Sequence, residues 1–253
     1  MDIRHALSLI REFTVVDLKL RYKESKMGYL WSLLNPLLML LTLYIVFGFI
    51  AKFDVPHYQL YLLLGILIWN FLSEATNISM QSMISKGGLL KKYNFPEETI
   101  VISSCLSSFI VLLLNMLIFF VFMYFSRVAV SWTILLFPFY LLQLFLLVLG
   151  VSFFLSSLFV KYKDLQHIWS FVLLLGFFIS PIVYPLSIVP VEYLKYYLLN
   201  PLARMVVDMR YVMIYEYAPD MKNFVITLII SLIIFVIGYY VFRRRKEYFV
   251  EDL

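Results

Sequence analysis

The chain has 253 residues, of which 63% are hydrophobic and only 15% are charged. A soluble domain is about 45–50% apolar and about 25% charged, so a water-soluble fold is excluded and lipid must be part of the solvent. Lys and Arg outnumber Asp and Glu by 21 to 16, which in such a chain bears on topology before nucleic acid; no nucleic-acid partner is expected.

Residues 1–26 precede the first long apolar run. Ile3, Ala6, Leu7, Ile10 and Phe13 share one helical face, Arg4, Arg11, Glu12 and Lys19 lie elsewhere, and Asp17 interrupts the apolar face. This pattern predicts a cytoplasmic helix lying in the membrane interface, against the alternative of a solvated tail. No compact apolar core precedes a small-residue cleavage site, so a cleavable signal is not expected.

Spanning a hydrocarbon core of about 30 Å takes about 20 apolar residues in a helix. The stretches between charges supply six candidates, at 27–51, 57–80, 98–125, 133–160, 165–184 and 222–242. The expected architecture is all-α and polytopic, in one transmembrane domain. The basic cluster Lys19, Arg21, Lys23 and Lys26 stands directly before the first crossing, and Pro36 falls within it. Proline removes an internal hydrogen bond and bends a helix, so the inner half of this helix is expected to splay away from a central path. The second crossing carries Glu74 with no obvious intramembrane cation; it is expected near the inner end of its helix, facing water or a neighbouring helix. Segment 81–97 contains Gly87-Gly88, expected to break that helix, then "LLKKY", a short basic-apolar element that a simple hairpin does not need. It reads equally as a docking surface or as a basic connecting loop. "VAVSW" before the fourth crossing is expected to be a loop.

Segment 185–221 is too long for a tight turn. Two apolar stretches, 191–199 and 202–215, flank Asn200-Pro201 and are each too short to cross, as expected for re-entrant helices. Asn200 is placed to cap the second, Pro201 to open it, and Arg204 and Asp208, four apart, to pair on one face. With both termini inside, 15 of the Lys and Arg residues fall on the inner side and 6 on the outer, which predicts cytoplasmic termini.

Several chemistries lack their motifs. There is no HExxH, no GxSxG and no GxxxxGK[ST] phosphate loop, so no metal site, hydrolase triad or ATP site is expected in this chain. Three readings follow: a subunit of an ATP-driven polysaccharide exporter, an exporter of lipids or drugs, or a membrane enzyme acting on lipid-linked sugars.

Four motifs carry a resemblance. "RYKESKMGYLWSLLNP" is similar to an opening signature, through Tyr22, Lys23, Ser25, Met27, Gly28, Leu30, Trp31, Leu34 and Pro36. "LKKYNFP" resembles a coupling segment, "KYKDLQHIWSFVLLLGFFISPIVYP" a fifth helix with its exit turn, and "NPLARMVVDMR" an outer re-entrant motif with Asn200, Pro201 and Arg210. All four belong to permease subunits of ABC-2 type exporters, in the polysaccharide branch that moves O antigens, capsules and teichoic acids. The resemblance implies a homodimer in a bacterial or archaeal plasma membrane, joined by two copies of a separate cytoplasmic ATPase that binds ATP and Mg, with no cofactor in this chain. It implies a lipid-linked polysaccharide substrate. It also implies that the N-terminal helix and Lys86, Gly87, Gly88, Leu89, Leu90, Lys91, Lys92 and Tyr93 transmit motion from the ATPase. The path would run between two copies of the first, second and fifth helices, with Trp31, Tyr44, Phe47, Trp69 and Tyr184 as candidate lining residues and Asn200, Pro201, Arg204, Asp208 and Arg210 at the exit.

Overall fold

A computed structural model describes residues 3–22, 27–28, 30–93, 95–246 and 249. Lys23, Ser25 and Lys26 of the opening stretch and Asn94 of the coupling motif lie outside the described residues. Ten α-helices follow in order: α1 (Ile3–Tyr22), α2 (Leu30–Leu43, continued by a wider π-helical run Tyr44–Ile50), α3 (Tyr58–Ser85), α4 (Gly87–Lys92), α5 (Glu98–Phe125), α6 (Phe137–Phe159, entered through the 3-10 turn Trp132–Leu136), α7 (Leu165–Ile179), α8 (Val191–Tyr197), α9 (Pro201–Met213) and α10 (Met221–Arg245). No strand occurs among the described residues.

Among the described residues, five helical runs are long and apolar enough to cross a membrane: Leu30–Ile50, Tyr58–Lys92, Glu98–Phe125, Trp132–Phe159 and Met221–Arg245. The expected fifth crossing, 165–184, is helical only through Ile179. Its 15 residues rise about 22 Å at about 1.5 Å each. The chain then leaves the helix at Ser180, whose backbone is extended, ahead of Pro181. The second crossing is longer than expected, running to Ser85. The break falls at Lys86, and Gly87 and Gly88 open α4 rather than ending α3. The arginines of "RRRK" are still helical at the end of α10, where cations favour the negative end of the helix dipole.

α3 is the central helix. Leu60, Leu62, Leu63, Leu64, Ile66 and Ile68 have no exposed surface, because α5 and α6 pack along it. α6 and α10 cross closely at two glycines: a Cβ on Gly238 would stand 2.0 Å from the Gly150 carbonyl oxygen. Helices lacking a hydrophobic driving force between them in lipid associate through such close backbone approaches. By contrast, α2, α7 and α10 each leave an apolar side uncovered, including Leu41, Phe171 and Ile233.

Pro36 is buried inside α2. It supplies no N–H to the preceding turn, and the later widening of the same helix at Tyr44–Ile50 lies beyond it.

Candidate functional site

The first functional region lies where α9 meets the turn after α7. Asn200 Oδ1 accepts from the N–H groups of Leu202 (3.0 Å) and Ala203 (3.4 Å), capping α9, and Pro201 takes the first helical position. α9 thereby carries Arg210 into the protein, where only 2% of it is exposed. Arg210 Nε and Nη2 donate to the Tyr61 carbonyl (3.2 and 3.0 Å), Nη2 also to Ile182 O (2.9 Å), and Nη1 to Pro181 O. The guanidinium carbon sits 3.3 Å from the centroid of the Tyr61 ring. Gly65 leaves the space for it: a Cβ there would be 2.6 Å from Nη2.

The same turn receives further donors. Tyr58 Oη donates to Val183 O (2.7 Å), Tyr61 Oη to Tyr184 O (2.8 Å), and Asn200 Nδ2 to Ser180 Oγ (3.4 Å). Irregular backbone within a membrane protein persists only where protein or water satisfies its polar groups. Here α3 and α9 provide the donors, so the break at 180–185 has a fixed geometry. Tyr184 Oη donates towards Phe178 O and Ile179 O (3.0 and 2.9 Å) and meets Tyr197 Oη at 3.0 Å, joining α8 to the end of α7.

Arg204 and Asp208 do not form the expected ion pair. Arg204 donates instead to Leu198 O (3.2 Å) and to Asn223 Oδ1 at the start of α10 (3.2 Å). Asp208 turns towards Tyr140, whose hydroxyl lies 3.5 Å away. Burial pushes the Asp208 carboxyl up to about 6, against the opposing pull of Arg204. Helical spacing brought the two residues to one side, and the tertiary partners Leu198, Asn223 and Tyr140 competed successfully for each.

The second region lies at the opposite end of α3, where α1 packs against α5. Asp17, which spoils the apolar face of α1, contacts Lys86 Nζ at 2.7 Å and accepts from Ser104 Oγ at 3.2 Å. Arg21 meets Glu74 at 2.5 Å and donates to Ser108 Oγ at 3.0 Å. Glu74 therefore has a cation after all. The pairing is invisible in the local sequence because the partner lies before the first crossing, 53 positions earlier. The small side chains of Ser103, Ser104, Ser107 and Ser108 on α5 are buried; this "SSCLSS" run was the available signal of a close helix contact.

Lys86 also lies 5.3 Å from the Phe13 ring, which packs on Phe95 at 5.5 Å. The residues that flank α4, Lys86 and Phe95, are thus held to α1. α4 buries Gly87 and leaves Gly88, Leu89, Lys91, Lys92 and Tyr93 exposed, with Leu90 half-buried. A cavity of about 300 Å³ runs beside Leu90, Lys91, Lys92, Tyr93, Phe95, Glu97 and Phe249.

The five aromatic candidates have different surroundings within one chain. Trp31 is 46% exposed. Tyr44 packs towards Tyr58 and Phe47 stacks on Phe53, both half-buried. Trp69 is buried between α3 and α7, edge-on to Phe177 and against Gly176; its ring packs the subunit's interior.

An all-helical chain with several membrane-long apolar helices, a capped non-spanning helix pair at one end and an amphipathic helix braced at the other is a multi-pass membrane protein. A family model described as ABC-2 type transporter matches residues 9–214, and the chain belongs to that family. It is 31% identical over 260 aligned positions to the O-antigen export system permease protein RfbA of Klebsiella pneumoniae, covering 100% of this chain and 97% of that one. A protein of the same name from Myxococcus xanthus is 28% identical, covering 94% and 92%. The polysialic acid transport protein KpsM of Escherichia coli is 26% identical, covering 91% of each.

Proposed function

We propose that this chain is the membrane permease subunit of an ATP-driven exporter of polysaccharide, and that it is a transport subunit rather than an enzyme. The observation that carries this reading is end-to-end similarity to O-antigen export permeases, together with a polysialic acid transport protein. The polymer reaches the permease lipid-linked. Two copies of the chain form the conduit in the plasma membrane, and both termini face the cytoplasm, in accord with the 15-to-6 distribution of basic residues.

ATP and Mg bind a separate cytoplasmic ATPase, two copies per permease dimer. Its docking surface is α4, whose exposed Leu89, Lys91, Lys92 and Tyr93 offer apolar anchors with a basic rim. Motion at α4 reaches the membrane helices through Lys86, because Asp17 and Phe13 hold that residue to α1, and α1 is hydrogen-bonded to α5. Trp31 and the residues near the 180–185 turn remain the candidates for the path and its exit.

The test is co-expression with the neighbouring ATPase in cells that make polymer but lack their own exporter, reading surface polysaccharide by immunoblot. Export should return with the pair and with neither protein alone. The double variant Lys91→Glu/Lys92→Glu should insert normally, hydrolyse ATP in the complex and lose export. Export by the permease alone, or a lipid or drug moved with no polymer, would sink the proposal.

A further inference from the structure

The inner end of α10 carries cations that face acids. Arg243 Nε lies 3.9 Å from Glu98 Oε1, and Lys246 Nζ lies 3.9 Å from Glu97 Oε2. Glu98 stands in the first turn of α5 and Arg243 in the last turn of α10, so each charge also suits the dipole of its own helix. Long, partly exposed pairs of this kind add little stability. What they do is set where the end of α10 lies against the start of α5.

Beyond them, Phe249 is only 2% exposed. Its ring lies 5.2 Å from that of Phe242 on α10, which lies 5.1 Å from Phe153 on α6. Phe249 shares the lining of the cavity of about 300 Å³ with Leu90, Lys91, Lys92, Tyr93, Phe95 and Glu97. The Phe95 ring packs on Phe13 of α1. The walls of this cavity are therefore tied to α1 through Phe95 and to α10 through Phe249.

Three features define what would fill it. A finished internal contact leaves few voids larger than a water molecule, whereas this space stays open beside buried aromatic side chains. Leu90, Phe95 and Phe249 give it apolar walls, which favour an apolar occupant. Its charged groups are Lys91 and Lys92 against Glu97 alone, and Glu97 already faces Lys246, so the surroundings favour an acidic neighbour. The cavity is also continuous with the exposed side of α4, through Lys91, Lys92 and Tyr93.

We infer that this cavity is a socket for an apolar side chain of the ATPase, one flanked by acidic residues, and that Phe249 is the positioning residue that joins the socket to α10. The inference rests on the reading of α4 as the docking surface. It adds a second route for motion: α10 crosses α6 at Gly238 and Gly150, so a load on the socket reaches both helices without passing through Lys86 and α1.

The experiment uses the full chain in nanodiscs with the neighbouring ATPase. Phe249→Trp and Leu90→Trp add bulk from two different walls. Each should leave the thermal midpoint of the permease unchanged and weaken ATPase binding about tenfold, as expected for the exclusion of one apolar anchor. Phe249→Ala should lower the polymer exported per ATP hydrolysed, and Phe249→Leu should restore it. Trp132→Phe, at the entry to α6, should bind the ATPase as the parent does.

Unchanged ATPase affinity in both Trp variants, with weakened affinity in Lys91→Glu/Lys92→Glu, would overturn the socket and leave docking at α4 standing. Loss of folded protein in both Trp variants would show that the space does not admit a side chain, and would overturn it too. Affinity that follows the anionic lipid content of the nanodisc but not the filling of the cavity would assign the space to lipid instead. An ATPase that does not bind the parent permease would overturn the socket and the export reading together.

Discussion

The two ends of α3 handle buried charge in different ways. At the α9 end Arg210 has no carboxylate partner among the described residues; it is held by three backbone carbonyls and the face of Tyr61. At the α4 end the cations Lys86 and Arg21 each meet an acid, Asp17 or Glu74. The carbonyls at 181 and 182 are left over from a broken helix and cannot move away without unmaking the turn. The acids are side chains with rotamer freedom. A guanidinium that spreads donors over fixed carbonyls builds a rigid joint, because its planar fork loses little on ordering. An ion pair between two separate helices can open and re-form, as a moving coupling element requires. The α9 end is thus the rigid joint, and the α4 end is the one that the proposed coupling would require to move.

Arg210→Met should have the largest effect. It strands the carbonyls of Pro181 and Ile182 in an apolar site, at about 1–3 kcal/mol for each unsatisfied group. Folded yield in detergent and the thermal midpoint should both fall sharply, and Arg210→Lys should recover little, since one ammonium cannot reach three carbonyls in that geometry. Near-parental stability in the Met variant would remove the rigid-joint half of the comparison.

Asp208 adds a pH dependence to the same end. Its carboxyl is raised to about 6 by burial, so the folded protein favours the protonated form. The resulting stabilisation is present in full below the ordinary carboxylate value, about 4, and is lost as pH rises through about 6. Asp208→Asn should therefore match the parent below about pH 4 and exceed its stability at pH 7 by on the order of 2 kcal/mol. Chemical denaturation at several pH values measures this, and a parent that gains stability over that interval relative to the Asn variant would reverse the sign.

At the α4 end, Lys86→Met should cost about 2 kcal/mol, between the values for exposed and fully buried pairs. It should reduce export more than it reduces folded protein. The exchange Asp17→Lys with Lys86→Asp should restore part of both. If the exchange restores stability but not export, the pair anchors α1 without transmitting motion.

The smallest effect belongs to Gly88→Ala. Nothing lies within 4 Å of a Cβ at that position, and alanine is favoured over glycine in a helix by up to about 1 kcal/mol. Stability should stay level or rise slightly. A loss of export in this folded variant would show that the partner docks against the bare glycine surface.

The sequence by itself determined the class. An apolar excess this large admits no water-soluble fold, and runs of uncharged residues between charges mark helices by length alone, because lipid imposes one thickness on each crossing. The Asn200-Pro201 start of α9 was likewise readable, since a cap acts within three residues. What only the tertiary structure decided was every pairing between distant segments. The partner of Glu74, the use of Asp17, the exchange of Arg204 and Asp208 onto Asn223 and Tyr140, and the burial of Trp69 all depend on which helices lie side by side. Periodicity states which face of a helix is polar, but it is silent on which other helix that face meets. Arg210 shows this most plainly: its motif was visible, yet its partners are backbone carbonyls, which carry no side-chain signature; one belongs to Tyr61 on α3, and those of Pro181 and Ile182 become available only where α7 stops.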